Sequence, residues 1–463
     1  MHKSIFRAYS IRGVYGETLT ADDMRQIGRA AGTLLGNQGI DRAVVGRDHR
    51  HSSSELALAL QEGLISTGMH LADVGPCPTP MLNFATDHYG CGAGLMVTAS
   101  HNPPQYNGLK IRTDRTLQDD GLLELWRIAE EGAFIHAQDA RRQGARAPAD
   151  PRPAYLKAIL KRANVGAPKC FVVDAAHGAA GPFVPRLLSA LGCQVIPLHC
   201  TPDGAFGKRT PDPTAAGALD ALAERVVAEG ADGGFAYDGD GDRVAMVDET
   251  GQPVYADRLL ILLAREALAA HPGATVVYEL SCTQALPETV RALGGAAISC
   301  PVGYAFVHQA MRESEAILGG ESAGHVFFGD PEFGFDDAML ATAKLVALLS
   351  RSDKSLSALL AQLPQYVRAP SRRLHCPDEY KQAAIAHARQ AFEAQGREIE
   401  HLDGVKVHLD AGWGLFRASN TQPAVTLHCE ALDAQRLAEI ETLLLDTVRA
   451  TLAHFGVEMQ DAH

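Results

Sequence analysis

The chain has 463 residues, too many for one hydrophobic core, and a soft division by domain size predicts three or four units. Hydrophobic residues make up 46% and charged residues 21%, an ordinary soluble composition. With 42 basic and 55 acidic residues the net charge is −13, which argues against nucleic acid and anionic membranes as partners; an anionic small molecule needs a local basic pocket. The longest unbroken apolar run, residues 259–264, is far short of a membrane span, and Met1-His2-Lys3-Ser4 leads into mixed polar sequence without a signal-peptide core. Nine scattered cysteines without a C-x-x-C pair read as reduced thiols in a cytoplasmic protein.

From the N-terminus, Thr20 with Asp23 resembles a capping box, and Met24, Ile27 and Leu34 follow on one helical face. Strand-like runs at 42–45, 94–97, 170–173, 233–237 and 275–278 alternate with helical patterns at 54–67, 257–270 and 335–349. That rhythm predicts α/β architecture with largely parallel pairing. The Pro- and Arg-rich stretch 141–153 reads as a linker, and the hydrophilic turn 248–252 as a softer boundary. After a Pro-bearing stretch at 364–370, read as a hinge, come a helix (378–395), two or three alternating strands (405–409, 415–418, 424–429) and a long helix (434–455). This is an antiparallel α+β pattern. The expected organisation is three similar α/β domains, 1–147, 148–250 and 251–365, and a C-terminal α+β domain, 366–463.

Four short segments carry chemistry. Thr98-Ala99-Ser100-His101-Asn102-Pro103 follows the 94–97 run and puts one hydroxyl on a strand-end loop, with Lys110 shortly after. Adjacent Ser and His side chains diverge there, so a hydrolytic Ser–His pair is not implied; the bland reading is a turn serine bonded to backbone. Asp238-Gly239-Asp240-Gly241-Asp242-Arg243 follows the 233–237 run. Alternate residues project the same way from an extended segment, so three carboxylates can meet one hard cation. A solvated acidic turn is the bland alternative. An EF-hand fails, because Arg243 stands where the loop needs Gly and the flanks read as strands. Gly320-Glu321-Ser322-Ala323-Gly324-His325 contains a G-x-S-x-G pattern, but strand-like sequence follows where a nucleophile elbow needs a helix. Glu321 and His325 suit sugar hydroxyls better. Arg417-Ala418-Ser419-Asn420-Thr421 offers a guanidinium, two hydroxyls and an amide, a set fitted to phosphate. Together a serine at a strand end and a cation-binding loop suggest a phosphoryl group carried on Ser100 beside a divalent cation.

These motifs in this order, with Phe6-Arg7-Ala8-Tyr9-Ser10-Ile11-Arg12-Gly13 and Val45-Gly46-Arg47-Asp48, resemble the α-D-phosphohexomutase superfamily, closest to bacterial phosphomannomutase/phosphoglucomutase, over the whole chain. The resemblance implies four domains around a central cleft, each giving one loop. It implies that Ser100 is a phosphoserine and that Ser100, Asp238, Asp240 and Asp242 bind one Mg²⁺. Arg12, His101, Lys110 and Arg243 would serve phosphoryl transfer and proton handling. Arg7, Tyr9, Tyr304, Glu321, Ser322, His325, Arg417, Ser419, Asn420 and Thr421 would contact the substrate. The implied reaction interconverts hexose 1-phosphate and hexose 6-phosphate of mannose or glucose through a hexose 1,6-bisphosphate, also the activator. The partner is a small-molecule sugar phosphate, and the chain is expected to act as a monomer.

The departures from the family fall in the third domain. Ser281-Cys282-Thr283-Gln284 lacks the usual Lys and Arg, Pro301-Val302-Gly303-Tyr304 replaces a segment with Lys and His, and Ala323 stands where a serine is usual. Ser10 also replaces the usual Asp of the opening segment. They imply altered sugar specificity. They also keep open a catalytically degenerate sugar-phosphate binder and a mutase for another sugar such as glucosamine phosphate, although Asn420 departs from the Gly of that subgroup.

Overall fold

The computed structural model describes residues 1–118, 120–135, 144–207, 209–419 and 423–460. Four sheets follow one another along the chain. The first has six strands in the order Ile11–Val14, Tyr106–Arg112, Ala93–Val97, Arg42–Arg47, His70–Pro76 and Ala145–Pro148. The second has five: Pro253–Val254, Val244–Asp248, Gly233–Tyr237, Cys170–Asp174 and Gln194–Leu198. The third has four: Ala296–Cys300, Thr275–Glu279, Leu318–Gly320 and Val326–Phe328. Helices cover these three sheets, giving the mixed α/β units that the sequence predicts.

Pairing is more mixed than the alternating pattern suggests. Each of the first three sheets has a parallel centre and an antiparallel flank, as where Ala93–Val97 runs parallel to Arg42–Arg47 but antiparallel to Tyr106–Arg112. The central strands Ala93–Val97 and Gly233–Tyr237 are buried along their whole length, because both faces lie under other elements. The stretch read as a linker contributes strand Ala145–Pro148, paired parallel to His70–Pro76. The second sheet likewise runs past residue 250, through the hairpin of Val244–Asp248 with Pro253–Val254.

The C-terminal unit is antiparallel, as expected, but its sheet has six strands instead of two or three. Three are short, Val367–Arg368, Arg372–His375 and Glu398–Glu400, and the first lies inside the expected hinge. Helices Asp378–Ala394 and Ala434–His454 cover one face, packing Ala384, Val448 and Leu452 against Leu374, Phe416, Val425 and Leu427 of the strands.

One continuous core joins the first three units, running from Met81, Leu82 and Phe84 through Phe171, Phe183 and Phe235 to Leu260, Phe333 and Leu345. Tyr155 sits at its centre, fully buried against Phe84, Phe183 and Phe333, and its hydroxyl donates to both carboxylate oxygens of Asp337 at 2.8 Å. Asp337 in turn caps helix Ala338–Arg351 by accepting from the amides of Met339 and Leu340. Tyr155→Phe removes one donor from a buried carboxyl and is expected to cost about 1–3 kcal/mol in urea unfolding, with turnover at 25 °C unchanged.

Candidate active site

The loops leaving the carboxyl ends of strands Ala93–Val97 and Gly233–Tyr237, in the first and second sheets, meet where Ser100 contacts Asp238. Ser100 is 1% exposed and donates its hydroxyl to Asp238 Oδ2 at 2.7 Å; His101 Nδ1 lies 3.3 Å from the same Oγ, so the two adjacent side chains, expected from the sequence to diverge, meet. Ser100 adopts φ 50°, a left-handed conformation rare for a residue with a side chain and a form of strain that collects at functional sites. Thr98 Oγ1 accepts from its amide at 2.8 Å. Glycine is required at 239 because a Cβ there would lie 2.4 Å from the Ser100 carbonyl oxygen.

Lys110 faces the serine from the return strand, Tyr106–Arg112, and its ammonium bridges Asp240 Oδ2 and Asp242 Oδ2. Thr79 also donates to Asp240 Oδ2, at 2.6 Å. Burial opposes the charge on Lys110, but Asp240 and Asp242 outweigh it and raise its pKa. Burial pushes Asp238 well above the ordinary carboxylate range, reinforced by Asp242 and Asp240. Burial acts the same way on Asp242, but Lys110 and His325 reverse it and hold that carboxyl low. Carboxylate oxygens of Asp238, Asp240 and Asp242 all lie within 4.8 Å of one another. Asp240 Oδ1 and Asp242 Oδ1 are buried and lack hydrogen-bond partners among the described residues. An all-oxygen donor set with two orphaned carboxylate oxygens suits a hard divalent cation.

Around this centre the sequence-predicted residues divide into groups. Arg12 reaches the serine loop from the first strand, donating to Ser10 Oγ at 3.3 Å and to Asn102 Oδ1. Burial first, then the Arg243, Arg12, Arg373 and Lys110 charges, keep His101 well below the ordinary imidazole range and so neutral. Arg243 Nε donates to His325 Nε2 at 2.9 Å, and His325 Nδ1 binds Asp336 Oδ2 at 2.7 Å; Glu321 Oε2 lies 3.8 Å from Nε2. Tyr304 is mostly committed elsewhere: its hydroxyl donates to the Tyr9 carbonyl at 3.2 Å and its ring meets Tyr9 edge-on at 4.9 Å. Ser322 Oγ lies 3.0 Å from Ser281 Oγ, and both residues wrap the fully buried Glu279 carboxylate. Strands Leu318–Gly320 and Val326–Phe328 form an antiparallel hairpin around Ser322, so no nucleophile elbow exists there.

The remaining residues lie on or toward the C-terminal unit. Arg7 pairs with Asp378 at 3.8 Å. Arg417 donates from Nε to Asp403 at 2.9 Å, and the Ser419 carbonyl accepts from Lys381 at 2.7 Å. Asn420 and Thr421 lie outside the described residues.

Sequence reasoning missed Arg50. It is fully buried, pairs with Asp48, and donates to the carbonyls of Ser100, Asn102, Pro103 and Tyr106 at 2.6–3.1 Å, fixing the serine loop from beneath. Asp48 also accepts from Ser53 and from Thr98, the latter at 2.8 Å. Only the short spacing from Asp48 to Arg50 hints at this in the sequence. Asp336, which orients His325, was missed too; it follows the hairpin in a segment without a motif.

Comparison with known proteins covers the whole chain. Four family models match in order: phosphoglucomutase/phosphomannomutase alpha/beta/alpha domain I over residues 3–134, domain II over 153–251, domain III over 255–366, and the C-terminal domain over 373–446. A phosphomannomutase/phosphoglucomutase of Pseudomonas aeruginosa is 39% identical over 449 residues, 96% of each chain. A phosphoglucomutase of Neisseria gonorrhoeae is 38% identical over 441 residues, 94% of this chain and 95% of its own. The crystal structure of a phosphoglucomutase/phosphomannomutase family protein from Burkholderia thailandensis superposes with a TM-score of 0.91 at 37% identity, covering 99% of both chains.

Two outcomes follow from the geometry. Arg50→Met leaves Asp48 buried and unpaired and is expected to destabilise by about 3–5 kcal/mol in urea, with Arg50→Lys recovering part of the loss. Burial, with Glu279 adding, pushes Glu321 from 4.5 up to about 7 against the pull of His325. The folded carboxyl therefore holds its proton to higher pH than the unfolded one. Its contribution to stability is complete below about pH 4.5 and is lost as pH rises through about 7. Glu321→Gln should remove that decline, so the Tm of the variant gains on the parent between about pH 5 and pH 8.

Proposed function

Since the chain belongs to the phosphoglucomutase/phosphomannomutase family and is a hexose-phosphate mutase, we propose that it interconverts the 1- and 6-phosphates of glucose or mannose through a phosphoserine at Ser100. The observation carrying this reading is the 2.7 Å bond from Ser100 Oγ to Asp238, inside a trio of carboxylates with oxygens within 4.8 Å of one another.

Ser100, Asp238, Asp240 and Asp242 would hold Mg²⁺, which when bound neutralises charge on the phosphoryl oxygens. The protein's own groups do the rest. Lys110, Arg12 and Arg243 offset the negative charge that three carboxylates and a phosphoserine concentrate in one pocket. In the first half-reaction the phosphoryl group leaves Ser100 Oγ and bonds to the free 6-hydroxyl of a hexose 1-phosphate. His101, held neutral and 3.3 Å from Ser100 Oγ, takes the hydroxyl proton and hands it to the departing serine oxygen. The resulting 1,6-bisphosphate turns over within the cleft. In the second half-reaction its 1-phosphoryl group returns to Ser100, the proton returns to the sugar oxygen, and the hexose 6-phosphate departs. Glu321 and His325 face the sugar, and the Arg417 loop grips the phosphate that is not being transferred.

Nine unpaired cysteines support a reducing, cytoplasmic setting, and among the described residues no helix is long and apolar enough to cross a membrane.

A panel of glucose, mannose and glucosamine 1-phosphates, supplied with Mg²⁺ and trace glucose 1,6-bisphosphate, tests the reading. A 6-phosphate product is expected from glucose or mannose, and its absence across the panel refutes the proposal. Ser100→Ala should lower turnover at least about a thousandfold and abolish the phosphorylated species in intact-mass spectra, while EDTA silences the parent until Mg²⁺ is restored.

A further inference from the structure

The sheet of the C-terminal unit has two unlike faces. Val425, Leu427 and Cys429 on strand Ala424–Ala431 pack under the two helices, as do Phe416 and Leu374 on its neighbours. Side chains alternate along strands, so Thr426 and His428, Arg417 and Arg373 project from the opposite face. There Trp413 and Leu415 meet Leu280 of the third unit, which turns this face inward toward the cleft. The register places Arg373 opposite Thr426, and Thr426 opposite Arg417. One hydroxyl thus lies between two guanidinium-bearing residues on three neighbouring strands, with adjacent strands about 4.8 Å apart.

Two features of this row point to a missing ligand. Arg417 Nη2 and Thr426 Oγ1 are buried and have no hydrogen-bond partner among the described residues, and Arg417 and Thr426 are each only 6% exposed. Orphaned buried polar groups are unfavourable unless something fills them. The second feature is the ionic accounting. The charge of Arg417 is met by Asp403 at 2.9 Å, that of Arg368 by Asp257 at 2.7 Å and Glu430 at 3.4 Å, and that of Lys381 by Asp378 at 2.7 Å. Arg373 is exposed and has no ion-pair partner among the described residues. Its charge bears on His101 across the cleft and on His428 beside it. The facing wall of the third unit offers Ser281 and Ser322 around an ionised Glu279, with no basic residue at 281–284.

We propose that Arg373 is a substrate-binding residue, which with Thr426 and Arg417 takes the phosphate of the sugar that is not being transferred. The Arg417–Asp403 pair is neutral overall and cannot alone balance a dianion. Arg373 supplies the uncompensated charge, from the C-terminal wall of the cleft and not from the third unit. This inference rests on the mutase reading above and adds a residue that none of the four motifs contains.

Steady-state kinetics of Arg373→Gln, Arg373→Lys and Thr426→Val against the parent test it. Arg373→Gln is expected to raise KM for the hexose 1-phosphate about tenfold with kcat changed less than about twofold, the loss of one charge-assisted contact. It should also raise the requirement for added glucose 1,6-bisphosphate, because a loosely held intermediate escapes. Arg373→Lys should recover part of the KM, and Thr426→Val should shift KM in the same direction. The Tm of Arg373→Gln should match the parent, since the side chain is exposed. A parent that turns over while Arg373→Gln keeps its KM and bisphosphate requirement overturns the inference and leaves the mutase reading standing. A parent without turnover removes the reading beneath it.

Discussion

The site depends on a charge balance that neither the first nor the second unit contains alone. Three aspartates buried to within 1% of full occlusion come from the second sheet; the ammonium that bridges two of them comes from the first. Unpaired, such carboxylates in a low-dielectric interior carry a heavy desolvation penalty. The serine loop must therefore sit directly on the aspartate loop, and the Gly239 backbone touches the Ser100 carbonyl. The shared apolar core that joins the first three units sets this contact. Arg50 completes the arrangement from below, holding four carbonyls of the serine loop while its own charge rests on Asp48.

The third unit gives physical form to the substitutions noted in the sequence. Tyr304 does not simply occupy the cleft as a bulkier group. It spends its hydroxyl on the Tyr9 carbonyl and its ring on the Tyr9 ring, tying the third unit to the first. Ser281 and Ser322 close on Glu279 and on each other, so this wall is internally satisfied and carries negative charge. In the proposed reaction the cationic groups for an anionic substrate come from the opposite sides: Lys110, Arg12 and Arg243 near the serine, and the C-terminal sheet at the far end.

Legibility followed the distance over which each feature is encoded. The Ser100 and Asp238–Asp242 loops could be read because their chemistry is contiguous and each follows a short apolar run. Strand Gly233–Tyr237 and the capping box at Thr20 appear as the pattern predicts for the same reason. The antiparallel flanks of the first three sheets were less legible, since an apolar run records burial and not the direction of its neighbour. Val367–Arg368 and Glu398–Glu400 are too short and too polar to stand out, although the sheet needs them as partners. Arg50 and Tyr155 were invisible for another reason: their partners lie 50–56 and 182 residues away, apart from Asp48 itself, and no local pattern reports such contacts.

The C-terminal unit is fastened unequally at its two margins. On the side of the third unit, Arg368, its side chain only 13% exposed, lies between Asp257 and Glu430, beside an apolar seam of Leu280, Trp413 and Leu415. On the side of the first unit it meets Arg7 through a solvent-facing pair at 3.8 Å, of a kind worth at most about 1 kcal/mol. Dissolved ions screen the second attachment and scarcely reach the first. Rising ionic strength therefore weakens the attachment at Arg7 before it touches the one at Arg368.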